Sequence, residues 1–190
     1  MSVVCPSWLS FILYNPVRKA FTRREAILNE SGVTGNSIVL EVGAGNGFLT
    51  EALAKRSRKV YAVELQEGMI RKLRKRIARF GEKVSIIKGD ISLISLDEEL
   101  ADVCILYYSF HEFGDKEKAA DTISRAIKYG GLISIYEPTF EVGKRSMQRT
   151  ATLFEQRGFT QAQEKEGLFT RFMSLKKMSV TDIAQSSAQA

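Results

Sequence analysis

Histidine, cysteine and proline are scarce in this 190-residue chain, which has one, two and three of them respectively. Cys5 and Cys104 stand far apart, so the chain offers neither a disulfide framework nor a thiolate zinc site. With His111 as the single imidazole, a histidine-based zinc signature is excluded as well, and no metal is expected. No apolar run approaches the ~20 residues needed to cross a bilayer. The amino terminus carries no basic residue ahead of its short apolar patch, so a secretion signal is not expected. These shortages suit a reducing compartment, and the expected location is the cytoplasm.

The apolar share is 44%, enough for a core, and the length fits one domain by the usual ~100–200 residues per domain. The formal charge is +6, from 28 basic and 22 acidic residues. That excess belongs to one segment: without Arg71, Lys72, Arg74, Lys75, Arg76 and Arg79, basic and acidic residues are equal in number. Met69, Ile70, Leu73, Ile77 and Phe80 recur among them at helical spacing. The segment therefore reads as an amphipathic helix with a solvated outer face, and the alternative is a phosphate-binding patch.

Apolar runs of strand type alternate with helix-type segments, the pattern of an α/β domain with a largely parallel sheet. Strands are expected near residues 37–42, 59–64, 83–88, 101–107 and 131–137, and helices near 47–57, 66–80, 115–129 and 144–157. After Gly158 two more strands turn at Gly167. Residues 1–36 are expected to form a helical lid segment broken at Pro16, residues 37–177 the main domain, and residues 178–190 a frayed polar tail.

The strongest local signal is a strand, residues 37–42, running directly into Gly43, Gly45 and Gly47 and then a helix. Glycines at such a turn permit positive φ and close approach of a ligand, and the following helix offers unpaired N–H groups. A dinucleotide fingerprint would need its third glycine one residue later, where Phe48 stands, and no Gly-Lys-Ser/Thr follows to make a P-loop.

The pattern Glu41-x-Gly43-x-Gly45-x-Gly47 resembles motif I of the class I S-adenosylmethionine-dependent methyltransferases. The resemblance implies that Glu41, Gly43, Gly45 and Gly47 hold the methionine part of S-adenosylmethionine. It implies ribose binding by Glu64, at the end of the second strand, where a carboxylate has acceptors for two hydroxyls. Leu65 follows it. Asp90 and Ile91 match the position that meets adenine, with Met69 on the other face of the ring. Three motifs in order at the carboxyl ends of three strands make the match specific. The fold implied is a Rossmann-like three-layer sandwich with a mostly parallel seven-stranded sheet and an antiparallel C-terminal hairpin strand.

Beyond strand four, Tyr107, Tyr108, Ser109, Phe110, His111, Glu112 and Phe113 form the richest aromatic and polar cluster, and Tyr107 is expected to border the cofactor. His111 is the side chain whose ordinary pKa suits a base near neutrality; the alternative is that it positions the loop. Glu137, ahead of Pro138, is a second candidate for a substrate or proton contact. Tyr14, in an aromatic and basic N-terminal stretch, is placed near the cofactor as part of the lid. The chain is similar to small-molecule methyltransferases of the quinone-biosynthesis type, which implies a small-molecule or lipid-precursor acceptor. The alternatives are an RNA or protein methyltransferase, or a non-catalytic cofactor-binding subunit that needs a partner. Nucleic acid is disfavoured because strand four is not followed by the Pro-Pro-aromatic segment that grips a flipped base. Oligomeric state is not legible.

Overall fold

The computed structural model describes residues 24–179. Tyr14, most of the expected lid and all but the first two residues of the expected tail lie outside the described residues.

Seven strands form one sheet: β1 (Ile38–Val42), β2 (Lys59–Glu64), β3 (Val84–Lys88), β4 (Ala101–Tyr107), β5 (Ile127–Pro138), β6 (Phe159–Glu166) and β7 (Thr170–Lys177), in the order β3-β2-β1-β4-β5-β7-β6. Ladders among β1 to β5 are parallel, and β7 is antiparallel to both β5 and β6. Only β7 therefore runs against the rest. The helices are α1 (Arg24–Glu30), α2 (Thr50–Arg56), α3 (Glu67–Ile77), α4 (Lys116–Ala126) and α5 (Lys144–Glu155).

Alternation along the strands divides the core in two. Leu40 and Val42 of β1, Cys104 and Leu106 of β4, and Ile133 and Ile135 of β5 pack with α4 and α5. Val39, Val103, Ile105 and Tyr136 face the other way, toward α1, α2 and α3. Period-two side-chain direction thus produces the three layers, with helices on both faces. In α3, Ile70 and Leu73 are fully buried while Arg71, Lys72, Arg74 and Lys75 face solvent. Each such buried side chain contributes roughly 1.5–3 kcal/mol, which commits this helix to one orientation.

The expected elements shift at their ends. The helix expected over 115–129 stops at Ala126, because Ile127 already pairs with Ala101, and after an irregularity that contains Gly130, at φ 76°, the ladder resumes at Leu132. The helix expected over 66–80 ends at Ile77 and passes into a 3-10 segment in which Gly81 takes φ 52°. Residues 24–30, within the segment expected as a lid, pack on the sheet. Ile27 and Leu28 are buried, and the Tyr136 hydroxyl donates to the Ile27 carbonyl at 3.2 Å. Met178, expected to begin the frayed tail, is tied by its N–H to the Gly158 carbonyl at 2.9 Å. Among the described residues no helix is long and apolar enough to cross a membrane.

Candidate active site

Strand order reverses between β1 and β4, and a crevice at the carboxyl ends of the strands is the expected outcome of that topology. A cavity of about 250 Å³ lies there, walled by the loops after β1, β2, β3 and β4. Glu41, Gly43, Gly45, Glu64, Leu65, Met69, Asp90, Ile91 and Tyr107 all line it.

The glycine turn is shaped by two different demands. Gly43, at φ 81°, passes so close to the β4 loop that an added Cβ would lie 2.4 Å from Ser109 Cβ. Ser109 closes this contact by donating its hydroxyl to the Val42 carbonyl at 2.8 Å. Gly47, also at φ 81°, is outside the cavity wall; an added Cβ there would meet Leu73 of α3 at 2.7 Å. Having no Cβ, it lets α3 pack against the turn.

Glu64 organises the centre. Its Oε2 accepts the Gly45 N–H and its Oε1 the Gln66 N–H, both at 2.8 Å, joining the glycine turn to the loop after β2. A carboxylate has about four acceptor positions, so each oxygen keeps one for a ligand hydroxyl. Asp90 Oδ1 accepts both the N–H and the hydroxyl of Ser92, at 2.8 and 2.7 Å, which fixes the turn carrying Ile91. Met69 and Ile91, both buried, provide apolar wall.

Glu41 is 3% exposed in the central strand, and its Oε2 has no hydrogen-bond partner. Burial, with the charge of Glu64 adding to it, pushes its carboxyl up to about 8. Thr50 offsets part of this without a regular hydrogen bond, since its own hydroxyl is left unpartnered. An unpaired buried carboxyl beside a cavity is a ready site for a cationic ligand group.

The β4 side is assembled from distant segments. Tyr108, at φ 55°, is a left-handed non-glycine residue, held there by its N–H to the Tyr136 carbonyl at 2.8 Å and its hydroxyl against Thr170. Its ring stacks on Tyr107 at 4.4 Å. Phe110 anchors the loop in the core against Phe113 and Phe154. Next to it, His111 donates its backbone N–H to Glu137 Oε1 at 3.1 Å. Its Nδ1 lies 2.5 Å from Glu137 Oε2 and its Nε2 lies 2.8 Å from Glu141 Oε2.

A neutral imidazole donates from one nitrogen only, so a ring flanked by two carboxylates is held as imidazolium. Burial works against that charge, but the bond to Glu137 and the charges of Glu137, Glu141 and Glu112 outweigh it and raise the His111 pKa. Neither His111 nor Glu137 lines the cavity. The two bind each other and so tie the β4 loop to β5, which is the positioning role the sequence held open for His111. Glu112, quoted in the aromatic cluster but not singled out, does line the cavity. Burial raises its carboxyl; His111 beside it opposes this, and the charges of Glu141, Glu137 and Glu64 add to the rise. Glu141 was missed as well, for it is adjacent to His111 only through the turn after β5.

Among the described residues the cavity wall carries four carboxylates, Glu41, Glu64, Asp90 and Glu112, and no cationic side chain. This wall does not suit a dinucleotide pyrophosphate, and it suits a cation. The family model of a methyltransferase domain matches residues 40–135. The chain belongs to the methyltransferase domain family. It is 33% identical over 144 residues to an uncharacterized methyltransferase of a Geobacillus strain, covering 75% of this chain and 66% of that protein. The first two such relatives are thus spanned over about two thirds of their length, 66% and 65%. A malonyl-[acyl-carrier protein] O-methyltransferase of Priestia megaterium is 30% identical over 149 residues, 74% of this chain and 50% of that one. In fold, the chain matches the structure of an S-adenosylmethionine-dependent methyltransferase from Aquifex aeolicus with a TM-score of 0.81. That match covers 92% of this chain and 100% of the other at 22% identity.

The cofactor of this methyltransferase domain is S-adenosylmethionine. The residues present fit it: the orphaned Glu41 oxygen meets an ammonium or sulfonium charge, Glu64 has acceptors for the ribose, and the Asp90 turn with Met69 and Ile91 offers an adenine slot. Among the described residues no cluster of His, Cys, Asp or Glu is arranged to hold a metal ion.

Proposed function

We propose that this protein moves the methyl group of S-adenosylmethionine to a small-molecule or lipid-precursor acceptor, by in-line displacement. The observation that carries the reading is the anionic cation-free cavity with an unpartnered buried carboxyl at its floor. The Priestia megaterium relative is named for a carrier-bound malonyl acceptor, which supports an acceptor of small size.

Bound cofactor supplies an electrophilic methyl on a sulfonium. The chain's task is then to align an acceptor and exclude water, and alignment alone supplies up to ~7–11 kcal/mol of a barrier. Glu41, Glu64 and Asp90 set the cofactor's position. Tyr107, Tyr108 and Phe113 wall the acceptor side, and Glu112, half-buried with a raised pKa, takes a proton from an acceptor that must lose one. His111 acts as a positioning residue that holds the Glu112 loop on β5.

A second reading, an RNA acceptor, is favoured by Arg71, Lys72, Arg74 and Lys75, which line a shallow surface groove on α3. Salt-dependent RNA binding lost on neutralising these residues would support it.

Calorimetric titration of the protein with S-adenosylmethionine and S-adenosylhomocysteine, with NAD as control, tests the cofactor step. Micromolar affinity, about −8 kcal/mol, is expected for the first two and none for NAD. Turnover against a panel of phenols, amines and acyl thioesters then tests the acceptor. Glu112→Gln is expected to leave cofactor affinity unchanged and lower kcat roughly a hundredfold for an acceptor that loses a proton. Cofactor binding without turnover in any acceptor class, restored by a co-purified protein, would instead establish a subunit that needs a partner.

A further inference from the structure

Six large apolar side chains are exposed among the described residues: Leu65, Leu93, Tyr129, Phe140, Leu168 and Phe169. Five of them share one edge. Leu65 follows β2, Leu93 follows β3, Phe140 follows β5, and Leu168 and Phe169 form the turn after β6, which runs in the direction of β5. All five therefore project from the carboxyl edge of the sheet, where the cavity opens. Tyr129 alone sits at the opposite edge, beneath the Lys177 ammonium.

Phe140, Leu168 and Phe169 are 79%, 82% and 69% exposed, and they form one body. The Thr139 N–H donates to the Phe169 carbonyl at 3.2 Å and its hydroxyl to the Leu168 carbonyl at 2.9 Å. Arg171 donates to the carbonyls of Thr139 and Val142 at 3.0 and 2.6 Å. The three side chains are thus carried on stapled loop tips. The wedge is joined to the cavity wall, because Thr170, the residue after Phe169, meets the hydroxyl of Tyr108.

We propose that the Phe140–Leu168–Phe169 wedge seats the protein on an anionic lipid surface. Exposed apolar side chains at loop tips bordered by basic residues bury readily among headgroups. Charge decides for an anionic surface. The acids around the wedge are neutralised internally, Glu166 by Lys144 and Arg171, and Glu141 by His111. Arg145 and Arg149 on α5 are exposed and make no ion pair among the described residues, so the charge left over beside the wedge is positive. Anionic headgroups attract each such residue by about 1 kcal/mol. The seating rests on the functional reading only for what it delivers, an acceptor held in the lipid; the contact itself is independent of methyl transfer.

Co-sedimentation of the full chain with phosphatidylcholine vesicles, and with vesicles in which half the lipid is phosphatidylglycerol, tests it. Binding is expected to the mixed vesicles, weakening as salt rises, and not to the neutral ones. Phe140→Ser/Leu168→Ser/Phe169→Ser is expected to lower partitioning about tenfold or more, and Arg145→Gln/Arg149→Gln roughly fivefold per arginine. Both variants keep the cofactor affinity of the parent, which separates failure of this proposal from failure of the cofactor reading. Absence of binding to mixed vesicles at low salt would overturn the proposal. Binding that the triple variant does not weaken would place the lipid contact elsewhere and overturn it equally. A parent dimer that the triple variant dissolves, with no vesicle binding, would make the wedge a subunit interface instead.

Discussion

On the β1–β2–β3 side of the cavity, the bonds that shape the wall join residues close in sequence: Gln66 to Glu64 and Ser92 to Asp90 are two apart, and Gly45 to Glu64 is 19 apart. On the β4–β5 side the separations are 26 for His111 to Glu137, 62 for Tyr108 to Thr170 and 67 for Ser109 to Val42. The first side is the proposed cofactor cradle, built within single β-α turns and between neighbouring ones. The second exists only once β5 and β7 are in register beside β4. Cofactor recognition is therefore the more local property of this chain, and acceptor recognition the more collective one.

The sharpest way to break that division is at Gly43, where the glycine turn meets Ser109 of the β4 loop. Gly43→Ala combines left-handed strain of ~1–2 kcal/mol with overpacking against Ser109 of ~1–3 kcal/mol. A loss near the sum is expected in denaturant unfolding, together with loss of cofactor binding. Gly47→Ala, pressed on Leu73, is expected to cost stability of similar origin while folded protein still binds cofactor.

Next in size is Glu64→Ala, which removes two bonds to backbone and the proposed ribose acceptors. Cofactor affinity is expected to fall roughly a hundredfold by calorimetry, since each hydrogen bond to a charged group contributes ~1.5–3 kcal/mol.

Glu41 sharpens the comparison through pH. Its carboxyl titrates near 8 in the folded protein against an ordinary value of 4.5, so the native state holds a proton that the unfolded chain has released. Stability from this group therefore falls as pH rises between those values. Glu41→Gln is expected to remove that slope, gaining a few kcal/mol on the parent by the upper end of the window while weakening the cofactor. In the parent, a bound cation favours ionised Glu41, so cofactor binding should release a proton, visible as a calorimetric enthalpy that depends on the buffer.

On the other side, His111→Gln removes an imidazolium clamp. With a raised folded pKa, its contribution is fully present below the ordinary value of 6.5 and is lost as pH rises through the raised one. A loss of about 1 kcal/mol is expected at acidic pH, modest because the ring is partly exposed, and less under alkaline conditions. Cofactor affinity should not move. The smallest effect is expected from Arg71→Gln/Lys75→Gln on the solvated face of α3, within about 0.5 kcal/mol in thermal unfolding.

Much of the cradle was legible because its chemistry is written in order along the chain. A strand, a glycine turn and an acid at the next strand end each announce themselves, and the eight candidates Glu41, Gly43, Gly45, Glu64, Leu65, Met69, Asp90 and Ile91 share one cavity. The closeness of Gly47 to Leu73 was not legible, because spacing cannot tell a glycine that admits a ligand from one that admits a neighbouring helix. His111 and Glu137 were legible as residues but not as a pair, since only the β4–β5 register, with Tyr107 opposite Tyr136, brings them together. Glu112 was hidden behind the more conspicuous histidine beside it.

By itself the sequence determined the alternation of strands and helices, the glycine turn, and the acids that end β1 and β2, because periodicity, φ and strand polarity are local properties. The tertiary structure alone decided that His111 sits between Glu137 and Glu141, that Glu112 joins the carboxylates lining the cavity, and that exposed apolar side chains gather on the edge where it opens. Those outcomes depend on which segments the sheet order brings within hydrogen-bonding distance, and no stretch of chain carries that information alone.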